Sequence, residues 1–180
     1  TSIFRWLDYI NDQAPEGDLL MTGKTLTTLK RNILTPMSEI TGEDYTLGGK
    51  EIKILGRKVQ IEGANDERSE GKVRGMTVAG HYGDEITLWP ESYFKMGLSR
   101  MSVAGSKFFG TTNPDGPYHW LKTDYLDRED ELDLKSFHFQ LEDNPYIDPG
   151  FVASLKTEYT GLWYKRFIDG LWVKAEGAIY

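Results

Sequence analysis

The chain has 180 residues, 39% of them apolar and 27% charged, enough for a real core and ordinary for a globular domain. It has no cysteine, which excludes disulfides and thiolate metal sites, and no apolar run near the ~20 residues of a membrane helix. The net charge of −7 argues against a generally basic DNA-gripping face, so any DNA contact needs a local patch or other subunits and domains. In chain order, "TSIFRWLDYI" has apolar residues at 3, 4, 7 and 10, the spacing of a helix, and "APEGD" at 14–18 breaks it. "LLMT" at 19–22 reads as a short buried strand. Leu26, Leu29, Ile33, Met37 and Ile40 then form one helical stripe, which Pro36 is expected to kink or restart. Residues 51–63 alternate around Gly56-Arg57 and predict a hairpin with glycine first in the turn. Residues 64–75 are polar, a loop or short helix. A strand at 76–85 ends in two carboxylates, and a helix at 90–101 opens on Pro90. A strand at 106–117 runs into a turn, "SFHFQL" at 136–141 reads as another strand, and 148–159 as the last clear helix. The aromatic tail is expected to pack down. Alternating strands and helices predict an α/β layered domain with a mainly parallel sheet.

Gly23-Lys24-Thr25 invites comparison with the phosphate loop, G-x-x-x-x-G-K-[ST]. Asp18 stands where the first glycine is required, and Gly17 is one place too early. Leu19, Leu20, Met21 and Thr22 fill the loop with strand material, where a phosphate cradle needs small residues so that main-chain N–H groups converge. The tripeptide reads as a βα turn instead, with glycine for the bend and threonine for the helix cap.

Asp84-Glu85 closes an apolar-leaning strand. In nucleotide hydrolases such a pair can hold Mg2+ and deprotonate the attacking water. Alone it is weak, because most adjacent carboxylates are surface charge. "FFGTTNPDGP" is the second clue: Thr111, Thr112 and Asn113 at a strand end can contact a γ-phosphate and its water, or simply form a turn. The order strand–DE, helix, strand–TTN favours the first alternative.

Together "LLMTGKTLTTLKRNIL", "GANDERSEGKVRGMTVAG", "YGDEITLWPESYFKMGLSRM", "FFGTTNPDGPYHWLK", "LEDNPYID" and "YKRFIDGLWVKAEGAIY" resemble the large terminase subunit of tailed bacteriophages, across nearly the whole chain. The resemblance implies a P-loop NTPase fold of the ASCE type, a mainly parallel sheet flanked by helices. It implies an ATPase of a DNA-packaging motor, using ATP and Mg2+, with double-stranded DNA, the portal protein and the terminase small subunit as partners. It further implies a homo-oligomeric ring in the host bacterial cytoplasm, phage or prophage encoded, with no membrane partner. "YGDE" resembles the Walker B element, with Asp84 the Mg2+ carboxylate and Glu85 the catalytic base. Thr111, Thr112 and Asn113 resemble the coupling motif, and Arg74 is a candidate finger reaching a neighbour's nucleotide. Arg74 can equally be a solvated loop arginine or pair with Glu67 or Glu70; Arg68 is the next candidate.

By this resemblance residues 1–180 are a partial ATPase domain, N-terminally incomplete. The Walker A loop is expected to lie ahead of Thr1 and the nuclease domain beyond Tyr180. The chain by itself is then expected to be inactive, since the phosphate cradle carries most nucleotide affinity. Another ASCE motor, such as a helicase, or a non-catalytic remnant remains the alternative. His81, His119 and His138 share no metal-ligand spacing, and "PYHW" is expected to pack under the coupling loop. Trp163, Tyr164, Phe167 and Trp172 can stack bases or close a core, and "DREDELDLK" reads as a solvated acidic loop.

Overall fold

The computed structural model describes residues 2–45 and 49–174. The chain divides into two compact units, Thr1–Thr112 and Asn113–Tyr180.

The first unit is built on a five-stranded sheet in the order β2-β3-β1-β4-β5. Its strands are β1 (Asp18–Gly23), β2 (Glu51–Ile54), β3 (Arg57–Gly63), β4 (Val78–Gly83) and β5 (Lys107–Gly110). β3, β1, β4 and β5 are parallel, and β2 joins the edge antiparallel to β3. β1 and β4 are buried on both faces, which explains the apolar run Leu19–Met21 in β1 and the small or aromatic residues that fill most of β4. One face of the sheet carries the main core. There α1 (Ser2–Asp12) turns Trp6, Tyr9 and Ile10 onto Tyr82 and Phe109. α2 (Leu26–Leu29), a π-helical turn (Lys30–Leu34) and α3 (Thr35–Thr41) add Leu29, Ile33, Leu34 and Met37 to the same cluster. The helical stripe read from the sequence is therefore real, although Ile40 is exposed. On the other face α5 (Glu91–Ser99) packs Tyr93 and Phe94 near His81 and Phe108. The expected α/β layering with a mainly parallel sheet is present. The polar 64–75 stretch forms a 3-10 turn (Glu67–Ser69) and the short α4 (Glu70–Val73).

Pro36 lies at the start of α3, directly after the π-helical turn. The N–H of Thr35 reaches back five residues to the carbonyl of Lys30. In an unbroken α-helix the proline ring would collide with the carbonyl of Asn32, four residues back. The wide turn accommodates what a simple kink or restart was expected to solve.

Two expectations are corrected. The hairpin turns on Leu55-Gly56, not Gly56-Arg57, and both turn residues have left-handed φ, 48° and 76°. Arg57 is drawn into β3 because its guanidinium donates to the carbonyls of Ala14, Pro15 and Gly17. A leucine is left in a backbone region costing an L-residue about 1–2 kcal/mol. The stretch 136–141 is not a strand: it is irregular up to a 3-10 turn at Leu141–Asp143, and Phe137 and Phe139 are exposed.

The second unit holds α6 (Trp120–Asp124), α7 (Pro149–Glu158) and α8 (Gly161–Trp163), followed by a π-helical turn (Tyr164–Ile168). His119 caps α6, its ring Nδ1 accepting from the N–H of Leu121. Within this unit Arg166 pairs with Asp115 at 2.7 Å and donates to the carbonyl of Val173. The aromatic tail closes less completely than expected. Trp163 and Phe167 stack at 5.1 Å yet stay exposed, whereas Tyr164 and Trp172 are partly covered.

Candidate functional site

The four parallel strands all end on glycine: Gly23 is in register with Gly63, and Gly83 with Gly110. Ligands of open α/β sheets bind at this carboxyl edge. An added Cβ at Gly23 would lie 2.9 Å from the Cβ of Leu29, so the chain turns tightly from β1 into α2 only with glycine there. Thr25 caps α2, its hydroxyl accepting from the N–H of Thr28 and its own N–H donating to the Thr28 hydroxyl. Lys24 reaches sideways and donates to the carbonyls of Asn65 and Leu88, both at 2.8 Å. The Gly-Lys-Thr sequence is thus a βα turn whose lysine clips together the loops after β3 and β4.

Asp84 is the first residue beyond β4 and is only 5% exposed. Its N–H donates to the carbonyl of Thr22, and its own carbonyl accepts from the indole N–H of Trp89 at 3.0 Å. Thr111 donates its hydroxyl to Oδ1 at 2.8 Å, and Asn32 donates its amide to Oδ2 at 3.1 Å. A carboxylate this buried needs such partners. Each oxygen still has a lone pair for a metal-bound water. Glu85 follows with φ 54° and ψ 51°, a left-handed conformation that swings the chain into a 3-10 turn, Ile86–Leu88. Strained backbone of this kind clusters at functional sites. Burial, then the charge of Asp84, push the Glu85 carboxyl above its ordinary range, while Arg31 opposes them.

Thr111 and Thr112 continue from β5. The N–H of Thr111 donates to the carbonyl of Gly83, and its carbonyl accepts from the N–H of Ile86. The Thr112 hydroxyl accepts from the N–H of Thr87 and donates to the Thr87 hydroxyl. Four of the residues singled out by sequence, Asp84, Glu85, Thr111 and Thr112, therefore meet at one strand edge. Asn113 opens the second unit and is exposed. Arg74 is held elsewhere, paired with Glu70 at 2.6 Å and 70% exposed, and Arg68 pairs with Asp66. Sequence reading missed Asn32, Trp89 and Thr22. Thr22 and Asn32 lie in "LLMTGKTLTTLKRNIL" and Trp89 in "YGDEITLWPESYFKMGLSRM", but residue type gave none of them a role at the site; the local signal for Asn32 is Pro36, next to the turn that carries it.

Among the described residues no three His, Cys, Asp or Glu side chains are grouped to hold an ion. Mg2+ does not need such a cage, because it keeps several waters and takes one or two carboxylates plus substrate phosphates. Asp84, with Glu85 beside it, is a hard-oxygen site that fits this mode of binding.

Beneath Asp84 lies a buried polar chain: the Thr22 hydroxyl lies 2.9 Å from His81 Nε2 and 3.0 Å from the Tyr93 hydroxyl. His81 is fully buried, its Nδ1 has no hydrogen-bond partner among the described residues, and burial lowers its pKa to about 3. It is neutral in the fold but protonates near pH 6.5 when unfolded, so the unfolded chain binds the extra proton. Stability from this group is present above pH 6.5 and is lost as pH falls toward 3. At pH 5 the loss is about 2 kcal/mol, at ~1.4 kcal/mol per pH unit. Urea unfolding of wild type and His81→Gln at pH 7 and pH 5 checks this: the wild type should lose that much more than the variant. Parallel losses would show that His81 is not buried uncharged.

Residues 20–180 match the family model described as terminase large subunit, T4likevirus-type, N-terminal. Among solved structures, the large terminase of a thermophilic bacteriophage shares 34% identity over 98% of this chain, with a TM-score of 0.84. The same phage protein in complex with ADP shares 33% over 94%, TM-score 0.80, and in complex with ATP-γ-S 31% over 96%, TM-score 0.81. The chain spans 46% of the first of these proteins and 44% of the other two. A search of curated proteins found no match.

Proposed function

Because the chain belongs to the terminase large subunit family, we propose that its 180 residues are part of the ATPase domain of a viral DNA-packaging motor. In this reading ATP hydrolysis drives double-stranded DNA into a procapsid. The motor works as a homo-oligomeric ring docked on the portal protein and served by the terminase small subunit, in the host bacterial cytoplasm. The observation that carries the reading is the Asp84–Glu85 turn at the carboxyl edge of the sheet, with the hydroxyl of Thr111 on the Asp84 carboxylate. Binding of ADP and ATP-γ-S by the similar phage protein supports it.

Asp84 would hold Mg2+ through its water shell. When bound, the ion neutralises charge on the phosphate oxygens. Glu85 orients the attacking water and takes its proton; the burial that raises its pKa makes it a stronger base. Thr111 touches Asp84 directly, and Thr112 is tied to Thr87 in the turn that follows Glu85. In this reading Thr111, Thr112 and Asn113 form the coupling motif that senses the γ-phosphate and responds when the occupancy of that site changes. Arg74 would leave Glu70 to reach a neighbouring subunit's nucleotide. The arginine of its present pair is 70% exposed, and ion pairs at the surface hold only about 0–1 kcal/mol.

The reading needs a phosphate cradle, and these 180 residues contain no G-x-x-x-x-G-K-[ST] segment. The test therefore uses the protein with such a segment joined ahead of α1. ATP hydrolysis and uptake of duplex DNA into procapsids are measured together. Uptake that depends on ATP supports the proposal. Strand separation without any need for procapsids would replace it with a helicase.

A further inference from the structure

Asn32 lies 52 residues from Asp84 in sequence and was given no role by the sequence, yet its amide Nδ2 donates to Asp84 Oδ2 at 3.1 Å. The amide orientation is fixed from both ends. Arg31 Nε donates to Asn32 Oδ1 at 3.1 Å, so the oxygen faces the guanidinium and the NH2 faces the carboxylate. The reverse orientation would set donor against donor and oxygen against oxygen. The placement depends on the π-helical turn Lys30–Leu34, a widened turn of the kind often found at functional sites.

With Thr111 on the other oxygen, Asp84 is gripped between two neutral donors. Neither cancels its charge. A lysine or arginine in either place would compete with a divalent cation, whereas a hydroxyl and an amide fix the carboxylate plane and leave its full negative charge. From this geometry we infer that Asn32 is a positioning residue that orients the Asp84 carboxylate for a hydrated divalent cation. Arg31 acts one step behind, holding the Asn32 amide. The inference rests on reading Asp84 as the Mg2+ carboxylate.

Mn2+ serves as the probe, in the protein carrying a phosphate loop and saturated with ADP. Free and bound Mn2+ are separated by electron paramagnetic resonance. Wild type is compared with Asn32→Ala, with Asn32→Leu, which keeps the volume without the donor, and with Asp84→Asn. Loss of a group that orients a metal ligand weakens the metal by about 10–100-fold. Both Asn32 variants are expected to bind Mn2+ roughly 10-fold more weakly. Their ADP affinity in EDTA should stay unchanged, which a merely structural defect would not allow. Asn32 variants that bind Mn2+ like the wild type, while Asp84→Asn loses it, overturn the inference and leave the reading of Asp84 standing. Mn2+ binding that survives in Asp84→Asn as well overturns both.

Discussion

In the protein carrying a phosphate loop, and if Glu85 is the base proposed above, Glu85→Gln is expected to lower ATP turnover by roughly 10²–10⁴-fold, the usual contribution of a positioned general base, while nucleotide stays bound. Glutamine has the same shape and fits the same left-handed turn, so the step from β4 into the 3-10 turn at Ile86–Leu88 is kept. The hydrogen bonds of Asp84 come from Thr111, Asn32 and Trp89 and its own N–H to Thr22, and none passes through the Glu85 side chain. Removing the Glu85 carboxylate should therefore leave the cation site ready and take away only the acceptor for the water's proton. Single-turnover hydrolysis, with ADP and ATP-γ-S affinities measured in parallel, separates the two effects. Turnover that is unchanged in Glu85→Gln would reduce the carboxylate pair to surface charge and end the catalytic reading. Weakened nucleotide binding with normal turnover per bound nucleotide would assign Glu85 to binding instead.

The second large effect is on stability. Trp6→Ala should cost about 3–5 kcal/mol, as large-to-small changes of buried aromatics do. Trp6 is fully buried on the inner face of α1 and lies 5.8 Å from the Tyr9 ring, 5.8 Å from Tyr82 and 5.7 Å from Phe109. Alanine would leave a cavity where α1, β4 and β5 meet. Its indole N–H is buried with no hydrogen-bond partner among the described residues. Trp6→Phe should therefore be milder: it gives up some area but relieves an unpaired donor, a penalty of about 1–3 kcal/mol. Urea unfolding of the three proteins orders them as wild type and Trp6→Phe close together and Trp6→Ala far below. A Trp6→Ala variant as stable as the wild type would mean that the Trp6 side chain contributes nothing to the core.

The strands and helices that position the site were legible because their signals are local. The run Leu19–Thr22 is buried on both faces, and the stripe Leu26, Leu29, Ile33, Met37 is a helix face. "SFHFQL" shows where such reading fails. Its alternation is that of a strand, but a strand exists only where another pairs with it, and pairing is non-local. Leu55-Gly56 failed for a similar reason: three distant carbonyls capture Arg57 and move the turn by one residue.

By itself the sequence determined the chemistry available at the site. It named the carboxylates Asp84 and Glu85, the hydroxyls of Thr111 and Thr112, and the mismatch that removes Lys24 from a phosphate loop. It could do so because residue type and strand-end position are written into the local chain. Only the tertiary structure decided which groups touch. Lys24 binds two main-chain carbonyls, Thr111 reaches Asp84 across 27 residues, and Asn32 reaches it across 52. Hydrogen bonds need their atoms within a few tenths of an ångström. Here that placement comes from a π-helical turn, a left-handed Glu85 and the register of β4 with β5, which arise from packing and not from any motif.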